Sequence, residues 1–323
     1  MRAYIVSGML ALAACAVANG QEAVSPATAA PNHPEVAEPD FPHVVCQPQA
    51  TQGGAVLCKA PPDAALTLDG KVVTVADSTG FAVVGLDLRQ RSPAVIDLKV
   101  KPQLPVGYRL DATSATVEVL GRHDDKSVLS MDCGKISPQN PADQRKAEVS
   151  WVKKDKALKS FHDRLEPFAL LRPVEASDAA YSISSFGKTR TYKPKTSECN
   201  GRESVHHGTD IAVPTGTEIH APMGGTVLLA DPDLFYEGGA VFLDIGNGLV
   251  SVTMHMSRID VSAGDVVAQG ELLGLSGATG RVTGPHVHWG IKYRNPLESD
   301  RGGDIWLDPM LLLKLDPSEL GGD

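Results

Sequence analysis

The sequence predicts a mainly β protein: a small N-terminal β-sandwich, a connecting helix and an antiparallel β-rich C-terminal part. Three observations predict it. Short apolar stretches of period two recur from about Phe41 to Leu120. A helical period replaces them over residues 141–172. Strands then return over 181–313, cut at short intervals by Gly and Pro turns. A chain of 323 residues suits two domains rather than one. With 42% hydrophobic and 21% charged residues, the composition is that of an ordinary globular protein. A net charge of -9 argues against a nucleic-acid binder, which needs a basic face.

Residues 1–20 read as an export signal. Met1 and Arg2 precede an apolar run ending at Ala14, far below the ~20 residues of a spanning helix. Two processing readings compete. Leu12-Ala13-Ala14-Cys15 resembles a bacterial lipobox, which would make Cys15 a lipid anchor. Ala18-Asn19-Gly20 fits an ordinary cut before Gln21. Residues 21–40, rich in Ala, Pro and Glu, read as a flexible tether. Without Cys15, four cysteines remain: Cys46, Cys58, Cys133 and Cys199. An even set in an exported chain suggests disulfides, with three pairings open. Cys46 and Cys58 flank a Gln/Gly-rich turn and suit a hairpin staple. Cys133 with Cys199 would then tie the middle of the chain to its C-terminal half. No Cys-x-x-Cys pair supports a cysteine-based zinc site.

Residues 41–134 form the predicted sandwich. Asp69-Gly70 between two alternating runs signals a hairpin, and further strands follow at 81–88, 95–100 and 116–120. His43 and His123 stand alone and read as surface or structural. Residues 135–176 form the linker. Ala147, Trp151, Leu158, Phe161 and Leu165 recur at helical spacings, between Pro141 and Pro173. Lys153, Lys154, Lys156 and Lys159 are expected to solvate the opposite face, with His162 on the helix surface. Residues 177–316 form the C-terminal domain and 317–323 a tail.

Six of the ten histidines lie between positions 206 and 288. On a strand, His286 and His288 share one face while Val287, Trp289 and Ile291 face a core. On the strand from Leu249 to Met256, Val250, Val252, Met254 and Met256 form the apolar face. Ser251, Thr253 and His255 form the other, so His255 lines a cleft or solvent. His206 and Asp210 lie four apart with Gly208 between them, where glycine permits a sharp turn. Two imidazoles and one carboxylate make a three-ligand set that leaves a coordination position open, the pattern of catalytic zinc. Copper or iron accepts such a set too, but the remaining histidines suit hydrolysis. His207, next to His206, would face away from it on a strand and is not expected to be a ligand, and His220 reads as structural.

His206-x-Gly208-x-Asp210 with His286-x-His288 resembles the lysostaphin-type (LytM-like) zinc endopeptidases of peptidoglycan. Supporting stretches span 181–313. Ser184-Ser185-Phe186-Gly187 resembles the family's opening strand. Pro214-Thr215-Gly216-Thr217, Met254-His255-Met256-Ser257, the Gly-Asp run at 261–274, Thr279 to His286 and Asp308-Pro309 follow in family order. The N-terminal part resembles an accessory domain of Gram-negative members. The resemblance implies one zinc ion held by His206, Asp210 and His288, with His255 and His286 catalytic. It implies an exported protein, periplasmic or an outer-membrane lipoprotein, acting on peptidoglycan peptides; the oligomeric state is not implied. The alternative is a catalytically silent relative that activates cell-wall amidases. Two departures stand out: Thr253 replaces an aromatic, and 192–202 looks like an insertion.

Overall fold

Alternating side chains pair two sheets face to face in the N-terminal part. The computed structural model describes residues 44–68, 71–89, 94–100, 114–181, 185–295 and 304–320. The export signal, Cys15, the tether, His43 and the Asp69-Gly70 turn lie outside them. One sheet runs Val45–Cys46, Ala55–Lys59, Phe81–Gly85; the other runs Gln49–Thr51, Ser114–Leu120, Ala94–Val100, Ala65–Leu68, Lys71–Val75. Val56, Ala82 and Val84 of the first meet Leu66, Val117 and Val119 of the second, as a sandwich requires. The strands flanking Asp69-Gly70 pair antiparallel, as the hairpin reading expects. A disulfide joins Cys46 to Cys58, which are cross-strand partners. A second joins Cys133 to Cys199.

The helix is shorter than its period suggests and faces the other way. It spans Pro141–Ala157, with the Asn140 side chain accepting from the amides of Ala142 and Asp143 at 2.9 Å. Residues 158–172 are not helical. Trp151 is 61% exposed, and Phe161 and Leu165 are exposed too, so of the expected stripe only Leu158, just past the helix end, enters a core. Part of the lysine face is docked, while Lys156 and Lys159 stay exposed as expected. Lys146 reaches Asp233 and Lys153 reaches Asp231, each at 2.6 Å, and Lys154 pairs with Glu237. Those acids lie about 80 residues downstream, beyond the reach of any local pattern. Burial raises the Asp231 carboxyl, yet Lys153 holds it below its usual range on balance. His162 sits past the helix end, its amide donating to Asp244 at 3.0 Å.

The C-terminal part is built on one antiparallel sheet in the order Thr209–Ile211, Val287–Tyr293, Leu249–Met256, Gly238–Gly246, Gly225–Leu234, Val266–Val267. Its central strands are buried on both faces. Val241, Leu243, Trp289 and Ile291 enter the main core. Ala240, Phe242, Val250 and Val252 enter a second cluster with Leu158. Leu57, Phe81 and Val83 from the sandwich share the main core, and the described residues form one compact unit.

A strap crosses one edge. Lys126–Met131 pairs in parallel with Thr189–Pro194, which forms a hairpin with Arg202–Val205. The stretch expected as an insertion at 192–202 is therefore the end of that hairpin, tied down through Cys199. Ser185 to Gly187 is a turn rather than the expected opening strand, and Ser184 lies outside the described residues.

Arg294 fastens the chain beyond the helix to the sheet. It is fully buried, pairs with Asp244 at 2.8 Å, and donates to the carbonyls of Leu158 and Ser160. Arg294→Met leaves Asp244 buried without its counter-charge. The expected cost is about 3–5 kcal/mol. Urea unfolding checks it; a loss under about 1 kcal/mol would contradict the assignment.

Candidate metal centre

Strand register brings the first two groups together. Asp210 lies directly opposite His288, flanked by the pairs Thr209 with Trp289 and Ile211 with Val287. Paired residues share a face, so the carboxylate and imidazole point the same way while Trp289 anchors the core behind them. Gly208 serves by close approach rather than by a sharp turn. A Cβ there would lie 2.5 Å from His288 Nε2 and 2.5 Å from the Trp289 carbonyl oxygen. Gly208→Ala is therefore expected to displace His288 and weaken metal affinity at least about tenfold, the scale set by groups that orient ligands. Competition with a zinc indicator reads this; unchanged affinity would refute it.

His206 follows the Arg202–Val205 strand. Its Nδ1 lies 2.9 Å from the Ser185 carbonyl, which can only accept, so Nδ1 carries the proton and Nε2 faces inward. Three atoms then converge: His206 Nε2 to Asp210 Oδ1 at 3.1 Å, His206 Nε2 to His288 Nδ1 at 3.0 Å, and His288 Nδ1 to Asp210 Oδ1 at 3.0 Å. All three residues are buried. Burial raises the Asp210 carboxyl, but the two histidines outweigh it and hold it well below the usual range. Burial pushes His288 down to about 4. Two ring nitrogens and a carboxylate oxygen meeting within 3.1 Å of one another make a donor set that one cation would hold together. Tetrahedral zinc bonds of about 2.0–2.2 Å would separate the donors by roughly 3.3–3.6 Å, a few tenths wider than found. The donor set fits zinc.

The other carboxylate oxygen of Asp210 is held by Arg190, from the Thr189–Pro194 strand. The sequence reading missed Arg190. It stands at no diagnostic spacing from His206, and the strand pairing that aims it is long-range.

His255 reaches the site by a bulge. Thr253 pairs with Val241 and Met256 with Gly239, so one strand carries an extra residue. His255 takes φ 67°, a left-handed conformation uncommon outside glycine. Ser251 and Thr253 are buried, and the Ser251 hydroxyl accepts from Trp289 Nε1 at 3.1 Å. Simple alternation would thus have put His255 in the core. The bulge turns it out to the groove and sends Met256 into the main core, away from Val250 and Val252. The expected cleft position is found, but for a different reason.

His255 Nδ1 lies 2.9 Å from the Thr279 carbonyl, and His286 Nδ1 lies 2.9 Å from that of Gly284. Both rings therefore present Nε2 as the working atom. Their centroids are 4.8 Å apart, and His286 Nε2 is 3.6 Å from Asp210 Oδ1. Burial, then the neighbouring His286 and His288, lowers His255 well below the ordinary histidine value.

All five residues line one groove of about 450 Å³, walled by the strap on one side and by the 281–286 loop on the other. His207 lines it too but stacks on Trp306, rings 5.7 Å apart and nearly parallel. Burial pushes it down to about 4. His220 is half-buried and reaches the Gly270 carbonyl at 3.0 Å, a structural contact.

Residues 204–299 match peptidase family M23. The chain is 38% identical over 117 residues to peptidoglycan DD-endopeptidase ShyA of Vibrio cholerae, covering 36% of this chain and 26% of that protein. It is 30% identical over 120 residues to lysostaphin of Staphylococcus staphylolyticus, covering 37% and 25%. The match thus spans about a quarter of each relative's length. A crystal structure of a Pseudomonas aeruginosa protein assigned to peptidase M23 superposes with a TM-score of 0.53 at 27% identity, covering 81% of this chain and 94% of that one. The chain therefore carries a peptidase M23 domain over residues 204–299, homologous to the Vibrio Shy endopeptidases and to lysostaphin.

Proposed function

We propose that the protein is a zinc-dependent endopeptidase that hydrolyses peptide bonds in peptidoglycan stem peptides or cross-links. The observation that carries this reading is the convergence of His206 Nε2, Asp210 Oδ1 and His288 Nδ1 beside two imidazoles that both turn Nε2 to the same groove. His206, Asp210 and His288 would hold the ion. When bound, zinc supplies Lewis acidity that stabilises negative charge on oxygen.

The protein's own groups do the proton work. His286 Nε2, with Nδ1–H committed to Gly284, takes a proton from the attacking water and returns it to the leaving amine. His255, neutral and with Nδ1–H committed to Thr279, can only accept at Nε2. It therefore orients the water rather than donating to the oxyanion. Arg190 fixes the Asp210 carboxylate, keeping Oδ1 inward.

A silent regulator of amidases would have no use for this complete set, which favours the enzyme reading. Two disulfides agree with an exported, oxidising location. Such a location is what a cell-wall substrate requires, with Cys15 the candidate lipid anchor. In a Gram-negative wall the bond is that between D-alanine and a diamino acid rather than a glycine bridge. The test is mass spectrometry of muropeptides after digestion of purified peptidoglycan. Cross-linked dimers should fall to monomers, and a chelator should stop it. Intact dimers with zinc-loaded protein would defeat the proposal.

A further inference from the structure

The groove is basic although the protein is acidic overall, at net charge -9. Lys188, Arg190 and Arg281 line it. Arg190 is taken by Asp210, and the groove's other acid, Glu237, is taken by Lys154. Among the described residues, no carboxylate pairs with the Arg281 guanidinium or the Lys188 ammonium.

Arg281 is also held ready. Its guanidinium carbon stands 5.0 Å from the Tyr192 ring centroid and 4.7 Å from that of Tyr236. Tyr192 is 4% exposed and packs with Met131 and Cys199 and with Ile136 of the short helix Cys133–Ile136. Ring stacking occupies the faces of a guanidinium and leaves its N–H edge for a planar anion. The loop that carries Arg281 is joined to the reacting groups. Its amide donates to the Tyr236 carbonyl at 2.8 Å. Thr279, two residues earlier, supplies the carbonyl that fixes His255, and its hydroxyl donates to the Met256 carbonyl at 2.9 Å. Val282, next to Arg281, accepts from Lys135 at 2.8 Å. His286 ends the same loop.

We propose that Arg281 is the substrate-anchoring residue of this groove, its stacked guanidinium taking a free carboxylate on the peptide beside the scissile bond. The proposal rests on the peptidase reading above and gives it a substrate class: acidic peptides, in preference to their amides and to glycine chains. A dicarboxylic diamino acid cross-linked through its second amine fits. The carbon bearing the leaving nitrogen then also carries an ionised carboxylate, within reach of a cation in the same groove. A glycine bridge offers none.

The experiment uses the full zinc-loaded chain and two synthetic peptides. Both hold D-alanine on the second amine of a diamino dicarboxylic acid. In one, the carboxyl beside that amine is free; in the other it is a carboxamide. A charge-assisted bidentate contact predicts about 10–100-fold higher kcat/KM on the free acid. Arg281→Gln should bring the acid-to-amide ratio to within about twofold of unity, and Arg281→Lys should restore part of it. Calorimetric binding of both peptides reads the same preference without turnover. Preferential binding of the acid without cleavage of either peptide would sink the peptidase reading and leave the anchor standing. Equal binding and cleavage of acid and amide, or an unchanged ratio in Arg281→Gln, would overturn the anchor.

Discussion

Asp210→Ala should yield a folded protein that retains no zinc through dialysis and does not cut peptidoglycan. Asp210 is the one anionic member of the donor triangle, and its Oδ1 lies within 3.1 Å of both partner nitrogens. Without it, two neutral imidazoles must hold a dication in a buried pocket. The loss of metal removes several kcal/mol of charge stabilisation, so kcat/KM should fall by about a thousandfold or more. The substitution also strips Arg190 of its counter-charge in a mostly buried site, which costs stability. Asp210→Asn separates the two effects. The amide can still contact Arg190 through its oxygen, yet offers the ion no negative charge. Metal analysis after dialysis, read beside circular dichroism, decides it. A well-folded Asp210→Ala protein that kept one zinc per chain and digested peptidoglycan within tenfold of the parent would remove Asp210 from the centre.

Much of this site could be read from residues alone, because its strongest signals are local. The alternation of His286 and His288 against Val287 and Trp289 gives their faces directly, and the register with Asp210 follows the same rule. The strap lay beyond such reasoning. The strand Lys126–Met131 pairs in parallel with residues 63 positions later, and nothing in its own sequence names that partner. Arg190 was lost with it. The helix failed in the opposite sense. Its local pattern was strong, but the charges at 231, 233 and 237 decided which face is covered. His255 is the instructive case. A strict period of two puts it beside Ser251 and Thr253, whose side chains are buried. A single extra residue, and a left-handed φ that histidine tolerates better than a branched side chain, carried it to the groove. Bulges of this kind have no fixed sequence signature, and they gather where a side chain must be re-aimed for function.

His286→Ala divides binding from chemistry. His286 is outside the donor triangle: its Nε2 lies 3.6 Å from Asp210 Oδ1, and its Nδ1 is committed to the Gly284 carbonyl. Removing the ring should leave zinc bound at one ion per chain with little change in affinity. It should also lower kcat by about 10²–10⁴, the usual contribution of a positioned acid–base group. KM should move far less, because the ring does not hold the peptide. His255→Ala makes the comparison sharper. If His255 orients the water while His286 moves the proton, each single loss is large. The double loss should then cost much less than the product, since the two act on one water. Rescue discriminates further. A small exogenous imidazole can carry protons into the space vacated by His286, restoring part of the rate, whereas it cannot rebuild the fixed His255–Thr279 contact. Zinc stoichiometry, kcat and imidazole rescue are therefore measured together on the three variants. A His286→Ala protein with full activity would remove the acid–base role. Loss of its zinc would move residue 286 from the proton path into the coordination shell.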